Sequence, residues 1–94
     1  MKVLGRNILH EFGQKHADAA SALSSWLHEA EEAQWVTPAD LKGRFSSASI
    51  LSGSRVVINI KGNNYRLDIK INYASQVILV KRIGTHSEYE KWTF

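Results

Sequence analysis

Four side chains in the second half of the chain could act together on a phosphodiester. Lys61 and Arg66 carry permanent positive charge, and the planar fork of an arginine fits phosphate oxygens. His86 can take up or release a proton near neutral pH, and Tyr89 can stack on a base or share the proton transfer. These residue types predict metal-independent ribonuclease chemistry, with RNA as the substrate because its 2′-hydroxyl supplies a nucleophile that DNA lacks.

Metal ligands are scarce in the sequence. Asp68, Glu88 and Glu90 are the only acids of residues 41–94, whereas metal-dependent nuclease chemistry needs clustered carboxylates. The chain has no cysteine, and no two histidines stand at the i, i+4 spacing of a helical zinc pair. We therefore expect no metal and no other cofactor.

A second group of residues is predicted to bind the RNA backbone. It consists of Lys70, Arg82, Lys81 and Asn63, and strand alternation places Lys81 and Arg82 on opposite faces. Residues 41–94 contain nine Lys and Arg against three Asp and Glu, whereas residues 1–40 contain three against six. This asymmetry indicates an anionic partner for the second half, with ordinary solvated strand faces as the alternative.

Each catalytic candidate also has a purely structural interpretation. Arg66 could be a surface arginine that pairs with Asp68 or with a glutamate on a helix. Lys61 could serve solubility beside a turn, and Tyr89 could fill a gap in the core.

The candidates should be positioned by a pair of strands. Apolar residues occupy every second position in 56–60 and again in 65–71, which is typical of half-buried strands. Gly62-Asn63-Asn64 lies between them and supplies residues that tolerate positive φ, as a tight hairpin turn requires. The segment Val77–Ile83 is apolar on both faces until Lys81, as expected for a covered central strand. His86 and Tyr89 would then lie in a loop after that strand.

The first half of the sequence predicts helices. A short strand candidate, Lys2–Leu4, precedes a helix whose apolar face runs from Ile8 to about Lys15. A longer helix is indicated by the spacing of Ala22, Leu23, Trp26, Leu27 and Ala30, with Asp18 as its N-cap. Thr37-Pro-Ala-Asp40 has the pattern of a capping box that opens a short helix towards Phe45. The histidines of this half, His10, His16 and His28, are interpreted as surface residues.

The predicted order is a strand, two helices, a small helix and three antiparallel strands, which defines an α+β fold. Residues 1–94 should form one domain. Its core should contain Val56, Ile58, Ile60, Leu67, Ile69 and Ile71 packed against Leu23, Trp26 and Leu27. No apolar run reaches the ~18 residues of a membrane span, and the first residues do not form a secretory signal. We expect a cytoplasmic protein without a membrane partner.

Two motifs in the second half resemble the HigB family of toxins within the RelE superfamily of messenger-RNA interferases. These motifs are Gly62-Asn-Asn-Tyr-Arg-Leu67 and Ile83-Gly-Thr-His-Ser-Glu-Tyr89. The helix around Trp26 and the segment Ala39–Ala48 are also similar to family features, so the resemblance covers most of the chain.

The resemblance implies an antiparallel sheet of three to four strands with two N-terminal helices on one face. It also implies cleavage of messenger RNA, usually on the translating ribosome, and neutralisation by a HigA-like antitoxin with a helix-turn-helix. Within the superfamily, the strand arginine that matches Arg66 stabilises the transition state. The position of His86 is often an arginine, and the aromatic residue of the last segment corresponds to Tyr89.

Two other functions fit this class of fold. A ParE-like toxin would bind DNA gyrase without cutting RNA, and a non-catalytic protein would bind RNA through the same basic surface. A titrating histidine beside Tyr89 on a basic face favours the enzyme, because a gyrase-binding surface has no use for proton transfer there.

Overall fold

Alternating apolar residues build the centre of the sheet, as the sequence predicts. The computed structural model describes residues 1–94, and its strands are β1 (Lys2–Leu4), β2 (Ser49–Ile50), β3 (Arg55–Ile60), β4 (Tyr65–Asn72) and β5 (Val77–Thr85). Its helices are α1 (Arg6–Lys15), α2 (Ala17–Glu32), α3 (Pro38–Arg44) and α4 (His86–Tyr89). The α+β class is therefore confirmed.

The sheet has five strands in the order β1-β5-β4-β3-β2, with β4 at its centre. β3, β4 and β5 pair antiparallel, as predicted, and two short strands extend the sheet at its edges. β1 pairs in parallel with β5, so the sheet is mixed rather than purely antiparallel. The chain leaves β1 through Gly5, which has φ 85° and lies so close to β5 that an added Cβ would be 2.9 Å from the carbonyl oxygen of Val80. This tight turn carries the chain directly into α1.

One face of the sheet packs against the helices and forms the main core. Tyr65, Leu67, Ile69 and Ile71 of β4 are buried on this face, as the alternation predicts. Trp26 is 3% exposed in the same cluster, which confirms its predicted core position. The predicted core residue Leu27 is only partly buried.

Of the two helix starts predicted from the sequence, that of α3 is confirmed and that of α2 is not. The capping box of α3 is present as predicted, because Thr37 and Asp40 exchange hydrogen bonds between side chain and backbone. The N-cap of α2 is His16 rather than Asp18, and neither residue caps the helix with its side chain. The Asp18 carboxylate instead accepts a hydrogen bond of 2.6 Å from the hydroxyl of Tyr65.

None of the four helices combines the length and the apolar character that a membrane-spanning helix requires.

Candidate active site

The β3–β4 loop and the start of α4 enclose an open depression on one edge of the molecule. Its volume is about 480 Å³, and it is lined by Asn63, Asn64, Tyr65, Thr85, His86 and Ser87. The two walls are joined by a hydrogen bond of 3.1 Å from the backbone N–H of His86 to the carbonyl oxygen of Asn64. The strand register continues this contact, because Tyr65 pairs with Thr85. The depression therefore brings together the two sequence motifs that resemble the HigB family.

His86 begins a one-turn helix, where the sequence predicts a loop. Thr85 and Glu88 form a capping box, in which the N–H of Glu88 donates to Oγ1 of Thr85 and the N–H of Thr85 donates to Oε1 of Glu88. The backbone and side-chain hydrogen bonds with Thr85 lower the pKa of Glu88. The Thr-x-x-Glu spacing in the sequence is a signal that could have revealed this helix. The capping box fixes the direction in which His86 leaves the backbone.

Arg66 does not line this depression, but its guanidinium contacts two lining residues, Asn63 and Tyr65, from the face of the sheet opposite the helices. Its side chain is buried, with only 8% of the residue exposed. Nη1 donates to the carbonyl oxygens of Asn63 and Tyr65 at 2.9 and 3.3 Å, and Nη2 donates to Oδ1 of Asn63 at 3.2 Å. The guanidinium lies 5.3 Å from the centre of the Tyr89 ring. Arg66 and Tyr89 are therefore in contact, as a shared site requires.

The surroundings of Arg66 favour binding of an anion. Its hydrogen-bond partners are neutral oxygens, and no carboxylate forms an ion pair with it, so neither of the pairings considered from the sequence occurs. These bonds leave the Nε–H and one N–H of Nη2 without a protein acceptor. Buried cations are usually paired because desolvation of an isolated charge is costly. A phosphate group would supply the missing negative charge, and its oxygens would accept hydrogen bonds from both unused N–H groups of Arg66.

Asn63 holds Arg66 in place through both its backbone carbonyl and its side chain. Its Oδ1 accepts one hydrogen bond from Arg66 and a second from Nδ2 of Asn59, at 3.2 Å. Asn63 therefore orients the arginine of the candidate site, and its contact with RNA stays a prediction.

His86 stands at the rim of the depression with its side chain half exposed. Its Nε2 lies 3.0 Å from a carboxylate oxygen of Glu90, one helical turn further on. A carboxylate on one ring nitrogen selects the tautomer that carries its proton there, which leaves Nδ1 free to accept a proton. His86 thus has the accessibility and the partner that a proton-transfer group needs.

Lys61 is placed at the other end of the β3–β4 loop. Its backbone has φ 52°, so the positive φ of this turn falls on Lys61 and Gly62 rather than on the two asparagines. The Lys61 ammonium lies 3.5 Å from the Asp18 carboxylate of α2. The hydrogen bond from Tyr65, followed by the charge of Lys61, lowers the pKa of Asp18, and the same hydrogen bond raises the pKa of Tyr65. In this structure Lys61 therefore pairs with the helical layer, away from the face that carries Arg66.

His16 is closer to the site than the sequence suggests. It is half-buried at the junction of α1 and α2, where it stacks on Phe12 with ring centres 4.2 Å apart. Its ring is also 5.5 Å from that of Tyr65, a residue that lines the depression. The interpretation of His16 as a surface residue was wrong, because the chain turns between the two helices at this point and directs the ring onto the sheet. His10 and His28 are exposed, as expected.

The remaining cations of the second face differ in how freely they can bind RNA. Asp68 is completely buried and pairs with both Arg55 and Arg82, and its hydrogen bonds raise the pKa of Arg55. Lys70 is exposed and forms no ion pair. Lys81 is also exposed and occupies a β-bulge, since Asp68 pairs with Arg82 while the next residue of β4 pairs with Val80. Arg82 is thus partly neutralised by Asp68, whereas the two lysines remain available.

Gly84 explains how α4 and the following residues fit over the sheet. It pairs with Arg66 in the register, and a Cβ on Gly84 would lie 2.9 Å from the Trp92 ring and 3.2 Å from the Glu88 side chain. The absence of a side chain here lets the C-terminal segment pack directly above β5. Any larger residue would have to displace α4, and with it His86.

A second cavity lies on the helical side of the molecule. This groove of about 610 Å³ runs between α1 and α2 and is lined partly by Leu9, Leu23 and Leu27. It contains none of the predicted catalytic residues. No cluster of three or more metal-ligating side chains occurs in the structure.

The fold and the depression define a small α+β protein with a site suited to an anionic ligand. Comparison with known proteins identifies its relatives. The HigB toxin family, described as the RelE-like toxic component of a toxin–antitoxin system, has a sequence profile that matches residues 19–92. The chain is also similar to a protein of Escherichia coli O6:H1 named mRNA interferase HigB, with 27% identity over 95 residues that cover 99% of this chain and 92% of the relative. The chain belongs to the HigB family of toxins, which confirms the resemblance predicted from its motifs.

Proposed function

We propose that this toxin is an endoribonuclease that cleaves messenger RNA. The observation that carries the proposal is the buried Arg66 guanidinium, which has no carboxylate partner and is held by Asn63, a residue that lines the same depression as His86. The similarity to a protein named mRNA interferase HigB supports messenger RNA as the substrate.

The proposed reaction is an in-line attack of the 2′-hydroxyl on the adjacent phosphorus. The bond from phosphorus to the 5′-oxygen breaks, and the products carry a 2′,3′-cyclic phosphate and a free 5′-hydroxyl. One proton leaves the attacking oxygen and one is added to the leaving oxygen. Arg66 stabilises the charge that accumulates on the non-bridging oxygens, because its two unused N–H groups can bind them.

Proton transfer is assigned to His86. Its free Nδ1 can accept the proton of the 2′-hydroxyl, while the nearby Glu90 carboxylate stabilises the imidazolium that forms. The proton added to the leaving 5′-oxygen comes from Tyr89 or, where Tyr89 instead stacks on a flanking base, from water, and the contact with Arg66 limits the movement of Tyr89. Lys61 contributes charge at the mouth of the loop, where an RNA phosphate would compete with Asp18 for its ammonium.

The setting of the reaction is also part of the proposal. We infer that the message is cleaved while bound to the translating ribosome, which would hold the strand extended and support in-line geometry. A HigA-like antitoxin with a helix-turn-helix would neutralise the toxin by placing acidic residues against the cationic site.

A cleavage assay with purified protein tests the proposal. RNA, free or on translating ribosomes, is incubated with the wild type and with His86→Ala, and the ends are mapped for a 2′,3′-cyclic phosphate. We expect His86→Ala to lower the cleavage rate by ~10²–10⁴, the usual contribution of general acid–base catalysis. His28→Ala is the matched control, since His28 is an exposed histidine on α2, and its rate should equal that of the wild type.

Three results would contradict parts of this assignment. Full activity of His86→Ala would remove the histidine from the mechanism. Growth arrest with intact messages and inhibited gyrase would favour the ParE-like alternative. RNA binding without cleavage under either condition would favour a non-catalytic RNA-binding protein. Co-expression with the antitoxin should yield a complex in which wild-type cleavage is suppressed.

A further inference from the structure

The C-terminal segment places its aromatic side chains on the arginines of the second face of the sheet. Tyr89 contacts Arg66, as described above. The Arg82 guanidinium lies 4.3 Å from the centre of a Trp92 ring and 5.0 Å from the centre of the Phe94 ring. The Arg55 guanidinium lies 5.3 Å from the same Phe94 ring. The three aromatic residues thus extend from the candidate active site over arginines of β4, β5 and β3.

The Phe94 ring is held in place but remains open to solvent. Two guanidiniums approach it, and Nη2 of Arg82 donates a hydrogen bond of 3.0 Å to the carbonyl oxygen of Thr93. Phe94 is nevertheless 58% exposed. The contacts with the two arginines therefore leave much of the ring uncovered. A ring that is oriented by arginines and still largely exposed can accept a flat partner by stacking.

The charge of this face selects the kind of partner. Arg55, Arg66, Lys70 and Arg82 all lie on it, and Asp68 is the acid that lies among them in the sheet, fully buried. The four positive charges of this face therefore exceed the single negative charge of Asp68 by three. A cationic surface interleaved with exposed aromatic rings is the usual means of binding single-stranded nucleic acid, because phosphates bind the cations and bases stack on the rings.

We infer that Phe94, supported by Arg82 and Arg55 and adjoined by Trp92, forms a stacking platform for RNA bases outside the cleavage site. Lys70 would bind a phosphate of the same stretch of RNA. This inference rests on the proposed ribonuclease function and adds a binding region that extends the substrate path beyond Arg66 and Tyr89. The toxin would then hold several nucleotides of single-stranded message on one side of the scissile bond.

The platform is tested by the gain in affinity that a longer RNA provides. Binding is measured for single-stranded RNAs of about 4 and about 12 nucleotides, within the range that such surfaces occupy. All proteins carry His86→Ala so that the RNA stays intact. We expect Phe94→Leu to reduce the ratio of long-RNA to short-RNA affinity by about tenfold, which is within the contribution of one stacked base. Phe94→Tyr should retain the ratio, because it keeps an aromatic face.

The control variant is Val36→Ala, which changes an apolar residue that is 67% exposed between α2 and α3. Its affinity ratio should equal that of the parent protein, and thermal unfolding should show that Phe94→Leu remains folded. An unchanged ratio in Phe94→Leu would overturn the platform while leaving the proposed ribonuclease intact, provided the wild type still cleaves RNA. Weaker binding of the antitoxin with unchanged RNA binding would assign this surface to the protein partner and overturn the inference. A wild type that neither binds nor cleaves RNA would contradict both.

Discussion

Arg66 shows how a single residue can be prepared for a ligand at a cost to the folded protein. Its charge is buried, and its protein partners are carbonyl and amide oxygens of the β3–β4 loop and β4. The neighbouring arginines at positions 55 and 82 share the carboxylate of Asp68, and Arg66 does not. The difference within one sheet face indicates that Arg66 is kept available for an exogenous anion, since a neutral residue would be easier to bury at this position.

The first residue-scale prediction is that charge alone does not replace Arg66. Arg66→Lys keeps the positive charge but loses the planar fork and its bonds to Asn63. We expect its single-turnover cleavage rate to fall by ~10²–10³, the usual effect of removing one donor to a charged transition state. Arg6→Lys, on the exposed start of α1, is the control and should cleave at the wild-type rate. Cleavage by Arg66→Lys within a few-fold of the wild type would show that only the charge matters.

At the scale of elements, the site depends on a helix of four residues. α4 is too short to be stable by itself, because helix nucleation is unfavourable. It is held by the Thr85–Glu88 capping box at its start and by close packing over Gly84. The position of His86 is therefore set by a cap and by a glycine in the strand below, neither of which takes part in proton transfer.

Removal of the cap should displace His86 without unfolding the protein. Thr85→Ala loses the side-chain acceptor of the Glu88 N–H, and such changes cost about 1 kcal/mol of helix stability. We expect faster amide hydrogen exchange in residues 86–89 and a lower cleavage rate, with global thermal unfolding nearly unchanged. Thr37→Ala removes the equivalent group from α3 and should leave cleavage unaffected. Unchanged exchange in Thr85→Ala would mean that packing alone maintains α4.

The same cap predicts a response to acid. Because hydrogen bonds with Thr85 lower the pKa of Glu88 below its usual 4.5, the folded state favours the carboxylate. Its stabilising effect is complete above the unfolded-state value and is lost as the pH falls through the folded-state value. The amide protection of α4 should therefore decrease below about pH 4.5 in the wild type. Glu88→Gln should show lower protection at neutral pH and little further change on acidification.

At the scale of the whole molecule, the two faces of the sheet are stabilised by different forces. The helical side is a continuous apolar core, whereas the second face is held by the Arg55–Asp68–Arg82 cluster and by aromatic contacts. The proposed RNA chemistry takes place on the second face and at its edge. The apolar core that stabilises the protein and the polar surface that is proposed to bind RNA thus lie on opposite faces of the sheet.

The apolar core should carry most of the stability, and Trp26 tests this. Trp26→Ala leaves a large cavity and should lower the free energy of unfolding by ~3–5 kcal/mol, a large part of the total for a domain of this size. Trp26→Phe should cost clearly less, because the buried Nε1–H has no hydrogen-bond partner to lose. Urea unfolding of both variants provides the measurement. Similar losses in the two variants would indicate that the indole ring is required for its shape.

The sequence predicted those parts of the fold that depend on local patterns. Apolar residues at every second position in 56–60 and 65–71 determine which side chains face the helices, and the pattern at Thr37 and Asp40 sets the start of α3. The parallel pairing of β1 with β5 was not predicted, because a strand of three residues contains no information about a distant partner. For the same reason, strand alternation could not show that Asp68 pairs with Arg82.

The sequence indicated which residues belong to the candidate site, but it did not indicate how those residues are arranged. Arg66 and His86 were selected because of their chemistry, and their motifs meet at the depression. The pairing of Lys61 with Asp18 could not be foreseen, since it depends on how α2 lies across the hairpin loop. His16 was missed because a residue that ends one helix and precedes another has no periodic pattern by which to infer its direction.

The pairing of β1 with β5 has a consequence for the order of events during biosynthesis. Residues 2–4 are synthesised well before their partner strand, which begins at Val77, so this pairing joins segments that are more than 70 residues apart in sequence. Contacts of such long sequence separation form late and slow the search for the native topology. The central strand β4 also lacks its most extensive neighbour until β5 has been synthesised. The nascent polypeptide should therefore remain incompletely folded until β5 has emerged from the ribosome, so that chains lacking β5 would not be competent to act on RNA.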